Sequence, residues 1–172
     1  MSKFLFVTKP FTIEPLGIMY LSSALKRSGH DTSLAAIGDD LASKVSVFAP
    51  DFIGYSVMTG DHDLFAKVND ELKQKFSFFS VAGGPHPTFF PEYIEDGKFD
   101  AVCRGEGEEA LVDLVQKFPS TPDYTLPNFW FKRDESVFKN PMRNLIHDLD
   151  TISFPDIELF YKDSQVLREN PI

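Results

Sequence analysis

Four short stretches of the sequence combine glycine with proline, hydroxyl-bearing or acidic residues. They read TIEPLG at 12–17, SVMTG at 56–60, GGPH at 83–86 and RGEGE at 104–108. Glycine has no Cβ, so it leaves a ligand room to approach the backbone, and hydroxyl groups can hydrogen-bond that ligand. None of the four stretches places a nucleophile beside a base. The pattern therefore indicates ligand binding and predicts no catalytic residue.

Each of these stretches follows a predicted β-strand. Compact apolar runs predict five strands, at 3–8, 31–37, 51–57, 78–83 and 99–104. Helical patterns lie between and after them, which predicts an α/β fold: a doubly wound, flavodoxin-like (Rossmann-like), five-stranded parallel sheet with helices on both faces. In such folds ligands bind beyond the carboxyl ends of the strands, where all four stretches lie.

The alternation of predicted strands and helices ends after residue 118. Residues 119–147 hold a Pro-rich linker and a predicted hairpin, which form an appendage to the domain at 1–118. Residues 148–172 show no clear period and predict an extended connector without helix or strand. Their aromatic residues Phe154, Phe160 and Tyr161 leave two interpretations open. The segment either leads to a further domain or folds back over the first one.

Composition excludes several classes of function. The 172 residues carry 17 basic and 26 acidic side chains, and a net charge of −9 disfavours binding to nucleic acid or to an anionic membrane surface. No run of roughly 18 apolar residues and no signal peptide is present, so the predicted location is cytoplasmic. A single cysteine, Cys103, excludes an internal disulfide. His62 and His86 lack the companion ligands of a metal site, so none is predicted.

The order of the motifs resembles the cobalamin (B12)-binding domain that precedes a radical SAM domain. That family carries D-x-H-x-x-G after its first strand, S-x-L after the third and G-G after the fourth. Here the same places hold TIEPLG, SVM at 56–58 and Gly83-Gly84, and the resemblance covers residues 3 to about 118. RGEGE and the connector HDLDTISFPD at 147–156 resemble the radical SAM subgroup in particular. A dinucleotide fold or a receiver domain would need motifs that the first of these loops lacks.

This resemblance implies a cofactor, a site and a partner. The cofactor is cobalamin, and the partner is a radical SAM domain in cis that follows 148–172 and holds a 4Fe-4S cluster and S-adenosylmethionine; its C-x-x-x-C-x-x-C motif is absent here. Some of the implied site residues also have purely structural explanations, as turn, cap or helix-dipole residues. The implied cofactor-binding residues are Thr12, Glu14, Pro15, Leu16, Gly17, Ser56, Val57, Met58, Thr59, Gly83, Gly84, Pro85, His86, Gly105, Glu106 and Gly107.

The first loop departs from the family pattern at its two cobalt-directed positions. Thr12 stands at the Asp position and Glu14 at the His position. A carboxylate is a poor substitute for an imidazole on cobalt, so the resemblance implies base-off cobalamin without a His ligand. The alternative function is a Rossmann-like interaction module that has lost its cofactor.

Overall fold

A computed structural model of the chain describes residues 1–10, 14–38, 40–96, 98–118 and 122–163. Within them the chain alternates strands and helices from Lys3 onward. The strands are β1 (Lys3–Thr8), β2 (Asp31–Ala36), β3 (Phe52–Ser56), β4 (Phe79–Gly83), β5 (Ala101–Cys103), β6 (Phe129–Arg133) and β7 (Ser136–Lys139). The helices are α1 (Leu16–Arg27), α2 (Leu41–Phe48), α3 (His62–Lys73), α4 (Pro85–Phe89), α5 (Glu108–Lys117) and α6 (Ile157–Asp163).

The strands form one sheet in the order β2-β1-β3-β4-β5-β6-β7. The first five are parallel, and their order is that of flavodoxin-like folds. Strand order reverses between β1 and β3, because the chain leaves β1 for β2 on one side and later returns to place β3 on the other. The five predicted strands are all present, each within two residues of its predicted ends.

The prediction of a five-stranded sheet was wrong in its strand count. The hairpin β6-β7 continues the sheet as two antiparallel strands, with Phe131 opposite Ala101 of β5. Phe129 and Phe131 are fully buried in the core beside α5. Pairing with β6 also covers the edge that the short strand β5 would otherwise expose. The local sequence specifies a hairpin but not the strand beside which it docks.

Alternation along β1 directs its side chains to two separate cores. Phe4 and Phe6 pack with α1, α5 and α6 on one face, and Leu5 and Val7 pack with α2 and α3 on the other. Helices therefore cover both faces, as predicted. Gly54 of β3 makes room for the aromatic face, since a Cβ there would lie 2.5 Å from a ring carbon of Phe4.

Two short helices were missed by the sequence analysis. Helix α4 lies in the GGPHPTFF stretch and begins at Pro85, where a missing N–H costs nothing. Helix α6 lies in 148–172, which was predicted to hold no helix or strand, so that prediction was wrong. Its Leu159 and Phe160 are buried, and a helix this short depends on such tertiary packing more than on its own propensity.

Residues 140–163, which we call the strap, run from β7 at one edge of the sheet towards β2 at the other. Arg143 pairs with Asp113 of α5, and the Asp156 carboxylate accepts a 2.6 Å hydrogen bond from Ser22 of α1. Helix α6 then packs against α1 and β2. The strap thus holds α1 and α5 together from outside. Residues 164–172 of the predicted connector lie outside the described residues.

None of the helices in the described ranges has both the length and the apolar character required to cross a membrane.

Candidate functional site

A cleft of about 350 Å³ opens at the carboxyl ends of β1, β3, β4 and β5. It lies between the sheet and the first turns of α1 and α5, and it includes the point where strand order reverses. The cleft also reaches down to Phe4, the second residue of β1. Its lining is mainly apolar, with side chains from the sheet (Phe4, Phe6, Val81) and from the helices (Ile18, Leu21, Leu111).

The cleft brings together ten of the predicted site residues, which lie at the ends of β3 and β4 and in the segments that follow β1, β4 and β5. Four others are described but do not line it, and one more, Glu14, is exposed beside it. Thr12 lies outside the described residues. The ten lining residues are Pro15, Leu16, Gly17, Ser56, Gly83, Gly84, Pro85, Gly105, Glu106 and Gly107; the four are Val57, Met58, Thr59 and His86.

The glycines of the cleft differ in what they contribute to the structure. Gly84 has a φ of +100°, and a Cβ there would lie 3.0 Å from the Val57 carbonyl oxygen. The turn itself requires this glycine. At Gly17 an added Cβ would meet no atom within 4 Å, and at Gly83 the nearest neighbour would be the Cβ of Cys103, at 3.9 Å. These two glycines leave open space that a ligand can fill.

Backbone hydrogen bonds tie the loops after β3 and β4 to each other. The Val57 N–H donates to the Gly83 carbonyl at 2.8 Å, and the His86 N–H donates to the Val57 carbonyl at 3.1 Å. Val57 therefore acts through its backbone, while its side chain is buried in the core beneath α3. Backbone hydrogen bonds consequently hold this part of the rim of the cleft.

His86 belongs to an aromatic cluster beside α3. Its ring stacks on His62 with centroids 4.4 Å apart, and its Nδ1 lies 3.3 Å from the Thr59 hydroxyl. Tyr93 donates a 2.6 Å hydrogen bond to the His62 carbonyl. Burial and the charge of His62 lower the pKa of His86, against a smaller opposite effect of Asp63. Among the described residues, no three His, Cys, Asp or Glu side chains are placed together as metal ligands.

Cys103 lies in the wall of the cleft and is buried. Burial and the negative charge of Glu108 raise the pKa of its thiol to about 12, although Arg143 acts in the opposite direction. Because only the thiolate is a strong nucleophile, the raised pKa makes this cysteine a poor nucleophile at neutral pH.

Sequence reasoning missed the deep lining of the cleft. Phe4, Phe6, Val81 and Leu111 have the pattern of ordinary core residues, and nothing local distinguishes a cavity wall from a filled core. The alternation of β1 was the available signal, because it places Phe4 and Phe6 on the face that α1 and α5 cover. Only the gap between those helices and the sheet turns that face into a cleft.

The sequence has recognisable relatives. The family model of the B12 binding domain matches residues 2–115. An uncharacterised methyltransferase of Pyrococcus horikoshii is 32% identical over an alignment of 161 residues that covers 87% of this chain and 34% of that protein. An anaerobic magnesium-protoporphyrin IX monomethyl ester cyclase of Rubrivivax gelatinosus is 26% identical, over 83% of this chain and 28% of that protein. The chain thus spans about a third or less of these curated relatives.

The fold is also found in a solved structure. The radical S-adenosylmethionine methyltransferase TsrM of Kitasatospora setae, solved with cobalamin and a 4Fe-4S cluster bound, matches with a TM-score of 0.69. The match covers 90% of this chain and 31% of that one at 16% identity, so it concerns the fold alone.

Proposed function

Because this chain belongs to the B12-binding domain family, we propose that it binds cobalamin in the cleft between the sheet and helices α1 and α5. The observation that carries this proposal is the depth of the cleft. Its apolar lining reaches Phe4, and its rim is made of glycine-containing loops after β1, β3, β4 and β5.

The chemistry of the lining fits the cofactor's nucleotide tail. The tail ends in dimethylbenzimidazole, a flat apolar base, and burial of such a base against Phe4, Phe6 and Leu111 is favourable. Open space at Gly17 and Gly83 leaves room for the bulkier part of the molecule. Leu16, Met58 and Phe89 are exposed apolar side chains near this edge, and a large ring placed over it would cover them.

We further propose that the cofactor is held base-off and without a His ligand. Glu14 stands where an imidazole would be needed, and its side chain is exposed. His86 does not line the cleft, and its ring is stacked on His62. A tail whose base lies in the cleft leaves that base away from the cobalt.

Cobalamin, when bound, supplies a cobalt centre that can carry a methyl group. The residues of this chain would hold the tail, orient the ring and exclude water from the base.

We propose that 1–118 is the binding domain, 119–147 its appendage, and 148–172 the connector to a radical SAM domain in cis. That domain would hold a 4Fe-4S cluster and S-adenosylmethionine, and the whole protein would be a methyltransferase or a related enzyme. Relatives about three times as long support this arrangement.

Retention of cobalamin tests the proposal. The full-length protein is mixed with hydroxocobalamin and desalted, and the visible absorption of the protein fraction is recorded. We expect the corrin bands to elute with the protein. A colourless protein fraction would overturn the proposed function and favour an interaction module that has lost its cofactor.

The axial ligand is tested in the same sample after reduction to cobalt(II). Electron paramagnetic resonance should show no nitrogen splitting in the parent protein. The double substitution Thr12→Asp and Glu14→His would rebuild a carboxylate-supported imidazole and should introduce that splitting. Nitrogen splitting already present in the parent would contradict the base-off, His-off state.

A further inference from the structure

A buried asparagine lies where the rim of the cleft meets the hairpin. Asn128 immediately precedes β6 and is only 2% exposed. Its backbone has a φ of +73°, in the left-handed region that asparagine tolerates better than most residues. Asn128 does not line the cleft, so any effect that it has on a ligand there is exerted through its neighbours.

The side-chain amide of Asn128 binds the loop after β5. Its Nδ2 donates hydrogen bonds to the Arg104 carbonyl at 2.9 Å and to the Glu106 carbonyl at 2.8 Å. Both amide hydrogens are therefore used on carbonyls that flank Gly105. The Oδ1 of the same amide accepts a 2.8 Å hydrogen bond from the Arg143 N–H.

The backbone of Asn128 connects the same two segments. Its carbonyl accepts a 2.9 Å hydrogen bond from the Arg104 N–H, and its own N–H donates to the Pro141 carbonyl at 2.8 Å. Asn128 thus joins the loop after β5 to the beginning of the strap through both its side chain and its backbone.

Gly105 lies at the centre of the segment that Asn128 holds. Its φ is +69°, and a Cβ there would lie 3.9 Å from the Nδ2 of Asn128. The Gly105 N–H donates to the Thr88 hydroxyl at 3.1 Å, and that hydroxyl donates to the Gly84 carbonyl at 2.8 Å. Gly84 and Gly105 both line the cleft. One hydrogen-bond network therefore runs from Asn128 to the loops after β5 and β4.

We propose that Asn128 is a positioning residue of the cobalamin site, whose amide holds residues 105–107 in the conformation that receives the cofactor. The inference rests on the proposed function of the cleft. A loop that is already ordered loses less conformational freedom when a ligand binds. The contribution of Asn128 therefore takes the form of affinity for the cofactor, although Asn128 itself does not touch it.

This proposal extends the cofactor site along the chain. Asn128 lies beyond residues 2–115, which the family model matches. It belongs to the segment 119–147, which the sequence indicates only as an appendage. That segment supplies the residue that orders one side of the cleft rim, so it is part of the binding unit.

The chain offers a matched control for Asn128. Asn140 also donates both hydrogens of its amide to carbonyls, those of Tyr124 and Phe129, each at 2.9 Å. Neither of these two residues lines the cleft. Asn128→Asp and Asn140→Asp each replace two donors by a carboxylate of the same size. Asn128→Gly removes the amide without adding a charge, and glycine accepts the positive φ.

The test measures affinity and stability separately. Dissociation constants for hydroxocobalamin are determined by spectral titration of the full-length protein and its variants, each below the melting temperature that circular dichroism gives for it. Asn128→Asp and Asn128→Gly should each weaken binding about tenfold or more, as expected when the hydrogen bonds that order the loop are lost. Asn140→Asp should lower the melting temperature and leave the dissociation constant unchanged.

The opposite outcomes are distinct. Unchanged affinity in folded Asn128→Gly protein would overturn the role of Asn128, and this variant decides alone if Asn128→Asp does not fold. Equal weakening by Asn140→Asp would also overturn that role, because the loss of affinity would then follow general destabilisation. In both cases cobalamin binding by the parent stands. A parent protein that binds no cobalamin would overturn the proposed function and this inference with it.

Discussion

The cleft and the strap are built on the same two helices but use opposite kinds of contact. Outside α1 and α5, the strap makes side-chain bonds such as those of Glu106 to the Ile146 N–H and of Asp156 to Ser22. Inside, the cleft has open space beside Gly17 and Gly83. The strap thus makes polar contacts that support the fold, and the cleft offers open space that a ligand can fill.

This difference indicates what each region does. The strap contacts both α5, through Arg143, and α1, through Asp156, and the two helices also pack directly against each other. Substitutions in the strap should therefore act first on stability. Substitutions at the open glycines of the cleft should act first on binding. Three other cleft glycines serve the fold: Gly84 and Gly105 have a positive φ, and a Cβ at Gly107 would lie 3.0 Å from Leu21.

The largest expected effect comes from Gly84→Val. Its φ of +100° disfavours any β-branched residue, and the new Cβ would lie 3.0 Å from the Val57 carbonyl oxygen. Backbone strain of this kind costs about 1–3 kcal/mol before the steric clash is added. Urea denaturation should show a free energy of unfolding lowered by at least that amount.

Gly83→Val is the matched control for Gly84→Val. Gly83 has no positive φ, its nearest neighbour would be 3.9 Å away, and valine suits a strand end. Stability should change by about 1 kcal/mol or less, whereas cobalamin retention should be lost. A Gly83→Val protein that keeps its cobalamin, or that unfolds as readily as Gly84→Val, would contradict the assignment of Gly83 to binding and Gly84 to stability.

The second effect concerns the strap. The Asp156 carboxylate binds Ser22 and Lys26 of α1, each at 2.6 Å, and Asp156→Asn removes the charge from both contacts. Loss of a largely buried, charge-assisted pair should lower the free energy of unfolding by about 1–3 kcal/mol. Asp150→Asn, at an exposed position of the same strap, should have little effect.

The pH dependence of the Asp156→Asn effect follows from the pKa of Asp156. Burial raises that pKa, but hydrogen bonds from Lys26 and Ser22 together with the charge of Lys26 lower it below its ordinary value. The folded protein therefore binds fewer protons here than the unfolded chain. The stabilisation is complete above about pH 4 and is lost as the pH falls through the lowered pKa. A difference between parent and variant that grows on acidification would refute this assignment.

Much of the cleft rim could be predicted because its signals are local. A glycine-containing loop after a strand is visible in the sequence. Because strands alternate with helices and are therefore parallel, such loops lie at one edge of the sheet. In this way the loops at Gly17, Gly83 and Gly105 were identified together. Their spacing alone does not distinguish a turn glycine such as Gly84 from one that leaves space, because φ and neighbouring atoms decide that difference.

The parts that could not be predicted depend on contacts between distant residues. Helix α6 is stabilised by burial of Leu159 and Phe160 against a core formed much earlier in the chain. The hairpin joins the sheet because β5 offers an unpaired edge. The strap is held by Asp156, which resembles any surface aspartate until Ser22 and Lys26 are brought beside it. The sequences of helix α6, the hairpin and the strap do not by themselves specify which distant residues they contact.

The smallest expected effect is the pH dependence contributed by His86, which lies on the α3 side and belongs to neither region. Burial and the charge of His62 lower its pKa in the folded protein, with Asp63 opposing them weakly. The unfolded chain therefore binds more protons as the pH falls below about 6.5, and folding stability declines from there through the lowered pKa. His86→Gln should make the fall in melting temperature between about pH 7 and pH 5.5 shallower. His30, whose pKa is also lowered by burial and by the charge of the N-terminus, remains in both proteins and keeps part of the slope. A slope unchanged by His86→Gln would mean that the stacked pair with His62 does not exclude the proton, and that the α3 side titrates like an exposed surface.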